Sequence, residues 1–381
     1  MREVLNLAGT MTALGASRAA PGVAQAVAEV LGRFVVMDEL FAQAHRAIVR
    51  ATGAEAGTVT SSSSAAMTLC VAAALVGDDL AAIEALPDAG ARERRVAVQM
   101  PHWVSYGAPV PQAVAAAGAV PVAVGTACLV EGYHLEAAAR GGLAAVLHVV
   151  SHHTTREGEL PLGLVMEIAH AHGVPVIVDM ASECDLTGAV ALGADAVIWS
   201  GHKFLGGPTS GIVAGTRAMV RAVHLQNRGL GRLMKVGKEG IAGVVAALGA
   251  WERRDHAGEA AREGRVLARL SDALSGLPGV TLAPLPDWTG NPITRLEMRL
   301  GPPAPSAWDL AAALMAGEPA VALRDDHAEK GVLHLDPCNA TEEEAGVAAS
   351  MIREAILAPG PGTTWEARKR ARARATIGWL A

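Results

Sequence analysis

Residues 197–213 read Val-Ile-Trp-Ser-Gly-His-Lys-Phe-Leu-Gly-Gly-Pro-Thr-Ser-Gly-Ile-Val. A short apolar strand runs into the turn Ser200-Gly201-His202-Lys203. A Gly-Gly-Pro break follows, and a second apolar strand starts at Gly211. A lysine between two buried strands is an unusual place for a charge. Burial lowers a lysine's pKa, and the amine must be neutral to attack a carbonyl. Lysines that form imines with carbonyl compounds sit in such places. A solvated lysine at a loop tip is the plain alternative, and the rest of the chain decides between the two.

Working outward, the segment before this stretch is VPVIVDMASE at 174–183, an apolar strand that reaches Asp179. A carboxylate at a strand's carboxyl end is costly unless it faces a cation, caps the next segment or serves a site. Asp179 and Lys203 are 24 residues apart, one helix–strand unit, which puts them at one sheet edge on neighbouring loops. Further upstream, GTVT at 57–60 reads as a strand, followed by four serines, Ser61 to Ser64, and an apolar helix over 65–76. A serine-rich turn at a helix N-terminus offers backbone N–H groups, hydroxyls and the positive end of the dipole, which together suit a phosphate. One cap needs one serine, and four in a row favour the anion site.

Strands and helices alternate through the middle of the chain: RRVAVQM (94–100), a helix at 111–117, AVPVAV (119–124), a helix from 135, LAAVLHVVS (143–151) and a helix at 161–172. This order predicts a parallel α/β sheet. The loop 101–109 gathers His102, Trp103 and Tyr106 in a chain with only 3% aromatic residues, as a pocket wall or a packing cluster. His152 and His153 are adjacent, a spacing that does not suit one zinc ion, and no metal is expected. The stretch NRGLGRLMKVGKEG (227–240) matches neither glycine fingerprint of nucleotide sites. One long helix is expected over about 239–275, then a lobe of strands GVTLAPL, PITRLEMRL, PAVALRDD and GVLHLDP with a helix at 341–357. Arg324 ends one of those strands, facing a cleft or pairing with Asp325 or Asp326. The tail from Thr363 reads as a solvated basic helix.

A chain of 381 residues, half of them apolar, accommodates two domains. The expected divisions are an arm over 1–18 that lies across a surface and is too polar for a core strand, a large domain over 19–245 and a small one over 246–381. A formal charge of −6 gives no electrostatic case for nucleic acid. The cysteines Cys70, Cys128, Cys184 and Cys338 show no C-x-x-C spacing and suit a reduced cytoplasm. No signal peptide is expected, and apolar runs break before the ~20 residues that span a membrane.

A lysine amine, a carboxylate and a phosphate cradle on one sheet edge are what pyridoxal 5'-phosphate needs. Here the chain resembles the fold-type I pyridoxal-phosphate enzymes (the aspartate aminotransferase superfamily). More narrowly it is similar to the branch holding selenocysteine synthase and D-glucosaminate-6-phosphate ammonia-lyase. The resemblance is carried by NLAGTMTALGASR, TGAEAGTVTSSSSAA, PHWVSYGAPVPQAVAAAGA, GVPVIVDMASE, WSGHKFLGGPTSGIVAG, GRLMKVGKEGIAGVVAAL and PAVALRDD–GVLHLDP, which span most of the chain.

The resemblance implies a large three-layer α/β domain with a mostly parallel seven-stranded sheet, plus a smaller α+β C-terminal domain. It implies a Schiff base at Lys203, Asp179 at the ring nitrogen and His102 stacked on the ring. Ser62, Ser63, Ser64 and Ala65 would hold the phosphate, with Ser200 and His202 in reach of it or of the imine. Arg324, Tyr106 and Thr10 would meet the substrate, and Lys235 and Lys238 would approach a phosphate. The expected activity is Cα deprotonation of a small amino acid or amino sugar acid, leading to α,β-elimination of the ammonia-lyase type or to β-replacement. Racemase, aminotransferase and decarboxylase chemistry start from the same point, and a non-catalytic binding protein of this fold is the alternative of another class. The branch also implies a homodimer or higher homo-oligomer. The extra tRNA-binding domain of selenocysteine synthase has no counterpart here, so a tRNA partner is not expected.

Overall fold

The computed structural model describes residues 1–155 and 157–358. The basic tail expected to be helical lies outside the described residues. Twelve strands form among them: β1 (Val4–Leu7), β2 (Ala56–Thr60), β3 (Arg95–Gln99), β4 (Val120–Val124), β5 (Ala145–Val149), β6 (Val176–Asp179), β7 (Ala196–Ser200), β8 (Gly211–Gly215), β9 (Val280–Pro286), β10 (Thr294–Leu300), β11 (Ala320–Leu323) and β12 (Val332–Leu335). The chain divides into two compact units. One comprises Ala19–Arg254 with Trp288–Asn291; the other comprises Met1–Arg18, Asp255–Asp287 and the described residues from Pro292 on.

The larger unit is built on a seven-stranded sheet of order β2-β8-β7-β6-β5-β3-β4. β8 runs antiparallel to both its neighbours and the other strand pairs are parallel. All of the strands except β8 therefore point their carboxyl ends to one edge. Strands β5 to β8 are mostly apolar because both faces of the sheet are covered, and successive residues still alternate sides. Val176, Val178, Val197 and Trp199 enter one core with the helices Met37–Thr52, Leu162–Ala171 and Lys238–Glu252. Ile177, Ile198 and Val213 enter the opposite core with the helices Ser63–Val76 and Arg217–Leu225. The result is the three-layer α/β architecture that the resemblance implied, built on the mostly parallel sheet that the strand–helix alternation called for.

The smaller unit holds a parallel pair, β1 with β11, and an antiparallel sheet of order β12-β10-β9. The helices His256–Leu274, Ala307–Ala316 and Glu342–Leu357 share its core. Two expectations are corrected here. The arm does supply a core strand: Leu5 and Leu7 are buried in this unit, so its alternation Val-Leu-Asn-Leu outweighs its polar composition. The long helix expected over 239–275 is two helices, Lys238–Glu252 and His256–Leu274. Asp255 breaks it by accepting the Gly258 N–H as an N-cap, which satisfies a donor that a continuous helix would have used differently.

Candidate active site

The carboxyl edge of the large sheet gathers most of the polar residues singled out in the sequence. Asp179 is the last residue of β6 and is buried. Its Oδ1 accepts the Ala181 N–H at 3.1 Å and its Oδ2 accepts the Tyr106 hydroxyl at 3.2 Å. Burial pushes its pKa up to about 6, against the pull of the Lys203 charge, the Ala181 N–H and the Tyr106 hydroxyl. Cys70 of the helix Ser63–Val76 also feels this carboxylate, and burial together with that charge pushes its thiol up.

β7 lies beside β6 and carries the chain on to the lysine turn. Gly201 donates its N–H to Ser210 O and Gly207 to Gly201 O, at 2.9 and 2.7 Å. Gly206, with φ of 68°, donates to Lys203 O at 3.0 Å. The backbone on both sides of Lys203 is therefore fixed while the side chain is half-buried. Ser200, fully buried, pairs its Oγ with His202 Nδ1 at 3.0 Å. Burial, then the charge of Lys203, holds His202 below its ordinary pKa, so its imidazole stays neutral around pH 7.

The serine turn leaves β2 and opens the helix Ser63–Val76. Ser62 is the N-cap, its Oγ accepting the Ala65 N–H at 3.0 Å. The N–H groups of Ser63 and Ser64 and the hydroxyls of Ser61, Ser63 and Ser64 have no hydrogen-bond partner among the described residues. A Cβ on Gly211 of β8 would meet Ser62 O at 2.3 Å, so only glycine lets the neighbouring strand pass this close. Unpaired donors at the first turn of a buried helix are what a phosphate uses. With a buried carboxylate and a lysine at the ends of adjacent strands, this donor set fits pyridoxal phosphate.

His102 is placed differently from the expectation. Its ring is fully buried, and its Nδ1 accepts the Val149 N–H at 3.1 Å. Its Nε2 meets Glu159 Oε2 at 2.9 Å, and the ring stands edge to face with His148, centroids 4.6 Å apart. A ring that stacks on a cofactor presents an open face, and His102 presents none in this arrangement. It ties β3, β5 and the loop before Leu162 together instead. Gln99 does the same, bonding Leu160 through both amide atoms. Gln99, His148 and Glu159 were not among the expected site residues; the signal for the first two lies in the strands RVAVQ and AVLHV, where each is a buried polar side chain next to an apolar run.

Tyr106, expected at the substrate, has its hydroxyl on Asp179. Thr10 and Arg324 belong to the smaller unit. Arg324 is buried there and its Nε donates to Asp326 Oδ2 at 2.8 Å. Lys238 donates its Nζ to Leu31 O at 3.2 Å and to Arg33 O, closing the end of the helix Val23–Leu31 rather than reaching toward a phosphate. His152 and His153 lie ring against ring at 4.1 Å.

Comparison with known proteins assigns this arrangement to a family. The model of the L-seryl-tRNA selenium transferase (SelA) family matches residues 4–276. The chain belongs to the SelA family. Among its relatives is D-glucosaminate-6-phosphate ammonia lyase of Salmonella typhimurium, 36% identical over 93% of this chain and 95% of that protein. Another is 5'-C-glycyluridine monooxygenase-decarboxylase of a Streptomyces species, 33% identical over 95% of this chain and 92% of that protein. A solved structure of D-glucosaminate-6-phosphate ammonia-lyase superposes with a TM-score of 0.84, covering 93% of this chain and 96% of that one. The SelA family is a branch of the fold-type I pyridoxal-phosphate enzymes, and pyridoxal 5'-phosphate is the cofactor of this chain. No helix among the described residues is long and apolar enough to cross a membrane.

Proposed function

We propose that this protein is a pyridoxal-phosphate-dependent lyase of the ammonia-lyase type, acting on an amino sugar acid or a small amino acid. The observation that carries the reading is the placement of Asp179 and Lys203 at the ends of adjacent parallel strands, on the edge where the serine turn leaves its donors unpaired. Similarity to the Salmonella ammonia lyase over nearly the whole chain supports the reaction class.

The bound cofactor supplies a cationic ring that accepts the electrons left at the substrate's Cα. Asp179, buried at the end of β6, would be the carboxylate for the ring nitrogen, where its negative charge would favour a protonated ring. Lys203 would be the amine that holds the cofactor. As a free amine its Nζ would take the substrate's Cα proton as general base, a role worth about 10²–10⁴-fold in rate. Loss of the β-substituent with its bonding electrons, its protonation and addition of water would then give a keto acid and ammonia. The serine turn would hold the phosphate through the free N–H groups of its first helical turn. His102, Gln99 and Glu159 position the loops around the edge.

Borohydride treatment should bleach the visible band of the purified protein and add the cofactor's mass at Lys203. Incubation with D-glucosaminate 6-phosphate, and with a panel of small amino acids, should release ammonia and a keto acid. Carbon dioxide release without ammonia would instead favour a decarboxylase reading, which the Streptomyces relative supports. The protein is proposed to be cytoplasmic and a homodimer or higher homo-oligomer. The exposed apolar side chains of Leu31, Phe34 and Val36 support association, and light scattering tests it.

A further inference from the structure

We propose that Tyr106 is the positioning residue of Asp179, holding its carboxylate ionised and aimed at the cofactor ring; the proposal rests on the reading of Asp179 given above. The geometry is specific. The Tyr106 hydroxyl stands 3.2 Å from Asp179 Oδ2, with Met67 Sδ at 3.8 Å on its other side. Asp179 Oδ1 takes the Ala181 N–H at 3.1 Å. Each carboxylate oxygen therefore has one donor from the protein, which fixes the plane of the group and leaves a lone pair on each oxygen.

Four groups bear on this carboxylate: Lys203 from the turn after β7, Cys70 from the helix Ser63–Val76, Tyr106 from the loop after β3, and the Ala181 N–H. The Cys70 thiol is neutral, because burial and the Asp179 charge both raise its pKa. The Tyr106 phenol is likewise held neutral, raised by burial and by Asp179, so it donates its proton and cannot add negative charge. Lys203 cannot serve as a lasting counterion, because its amine must be uncharged to hold the cofactor. That leaves Tyr106 as the side-chain donor that favours ionised Asp179 at every stage. A hydrogen bond to a charged form lowers an acid's pKa.

The test uses the holoenzyme and follows its visible band against pH, along with cofactor loss on dilution. Tyr106→Phe removes one oxygen and keeps the ring. The acid limb of the band should move up by about one pH unit and cofactor release should rise about tenfold, the scale of one hydrogen bond to a charge. A second route changes no volume of note. The chain has two tyrosines, Tyr106 and the exposed Tyr133, so global replacement with a fluorinated, more acidic tyrosine should move the limb down. If Tyr106→Phe titrates as the parent while Asp179→Asn loses the band, the Tyr106 proposal fails and the reading of Asp179 stands. If Asp179→Asn also titrates as the parent, that reading fails. A rise in KM alone, with the pH profile unmoved, would return Tyr106 to the substrate and overturn the proposal. Tighter cofactor retention in Tyr106→Phe would overturn it too, since the hydroxyl would then be competing for Oδ2.

Discussion

Each unit of the molecule buries carboxylates, and it treats them in opposite ways. In the smaller unit Asp287 and Asp336 share Arg295, which donates to them at 2.7 and 2.8 Å and is itself 11% exposed. Those two carboxylates raise the guanidinium's pKa despite its burial. Asp336 also accepts the Cys338 N–H, and its own N–H reaches Leu7 O, so the group ties the amino-terminal strand into its sheet. In the larger unit Asp179 is as deeply buried but has two neutral donors and no contacting guanidinium among the described residues. Its pKa is pushed up to about 6. A saturated buried charge is a structural joint. An under-compensated one is held at a cost to the fold, and such groups mark working sites.

The comparison can be broken by substitution. The largest effect is expected at the lysine that shares the edge with Asp179: Lys203→Ala should lose the borohydride-sensitive band and reduce turnover by about 10³-fold or more. Retained turnover would remove the site from this edge. Next, Arg295→Ala strands two buried carboxylates and should cost about 3–5 kcal/mol in urea unfolding. A loss under about 1 kcal/mol would show that the joint contributes no more than an exposed salt bridge.

Asp179→Asn should do the reverse to the cofactor-free protein. The folded pKa of Asp179 lies above its ordinary value of 3.8. The folded state therefore binds the proton more tightly, and this group costs stability as pH rises from about 4 to about 6. Replacing it with asparagine should stabilise the cofactor-free chain by about 1–3 kcal/mol at pH 7, and flatten its stability between those pH values. A destabilised variant would make Asp179 a joint like Asp336. The smallest effect belongs to the serine turn. Ser62→Ala removes the bond to Ala65 N–H and should cost about 1 kcal/mol of stability, while Ser64→Ala, which breaks no side-chain bond among the described residues, should weaken cofactor retention and leave stability within about 0.5 kcal/mol.

Much of this is legible in the chain alone. The apolar runs around Val178 and Ile198 specify doubly covered strands, because a sheet buried on both faces has no polar alternation to read. Lys203, Asp179 and the serines announce themselves as polar groups at the ends of such runs. The helix break at Asp255 is less legible, since the residues on both sides, WERRDHAGEAAREG, are good helix formers and the cap is a local competition that composition does not resolve. The core role of Leu5 and Leu7 depends on β11, more than 300 residues away.

By itself the sequence determined the layered α/β class, the order of strands and helices, and which ionisable residues sit at strand ends, since those follow from periodicity along the chain. Only the tertiary structure decided what each of those residues touches. His102 and Tyr106 are four residues apart in one loop, and nothing in their neighbourhood says that one ring is clamped by Val149 and Glu159 while the other reaches Asp179. Hydrogen-bond partners come from strands and loops distant in sequence, and burial, which shifts a carboxylate's pKa, is a property of everything packed around it.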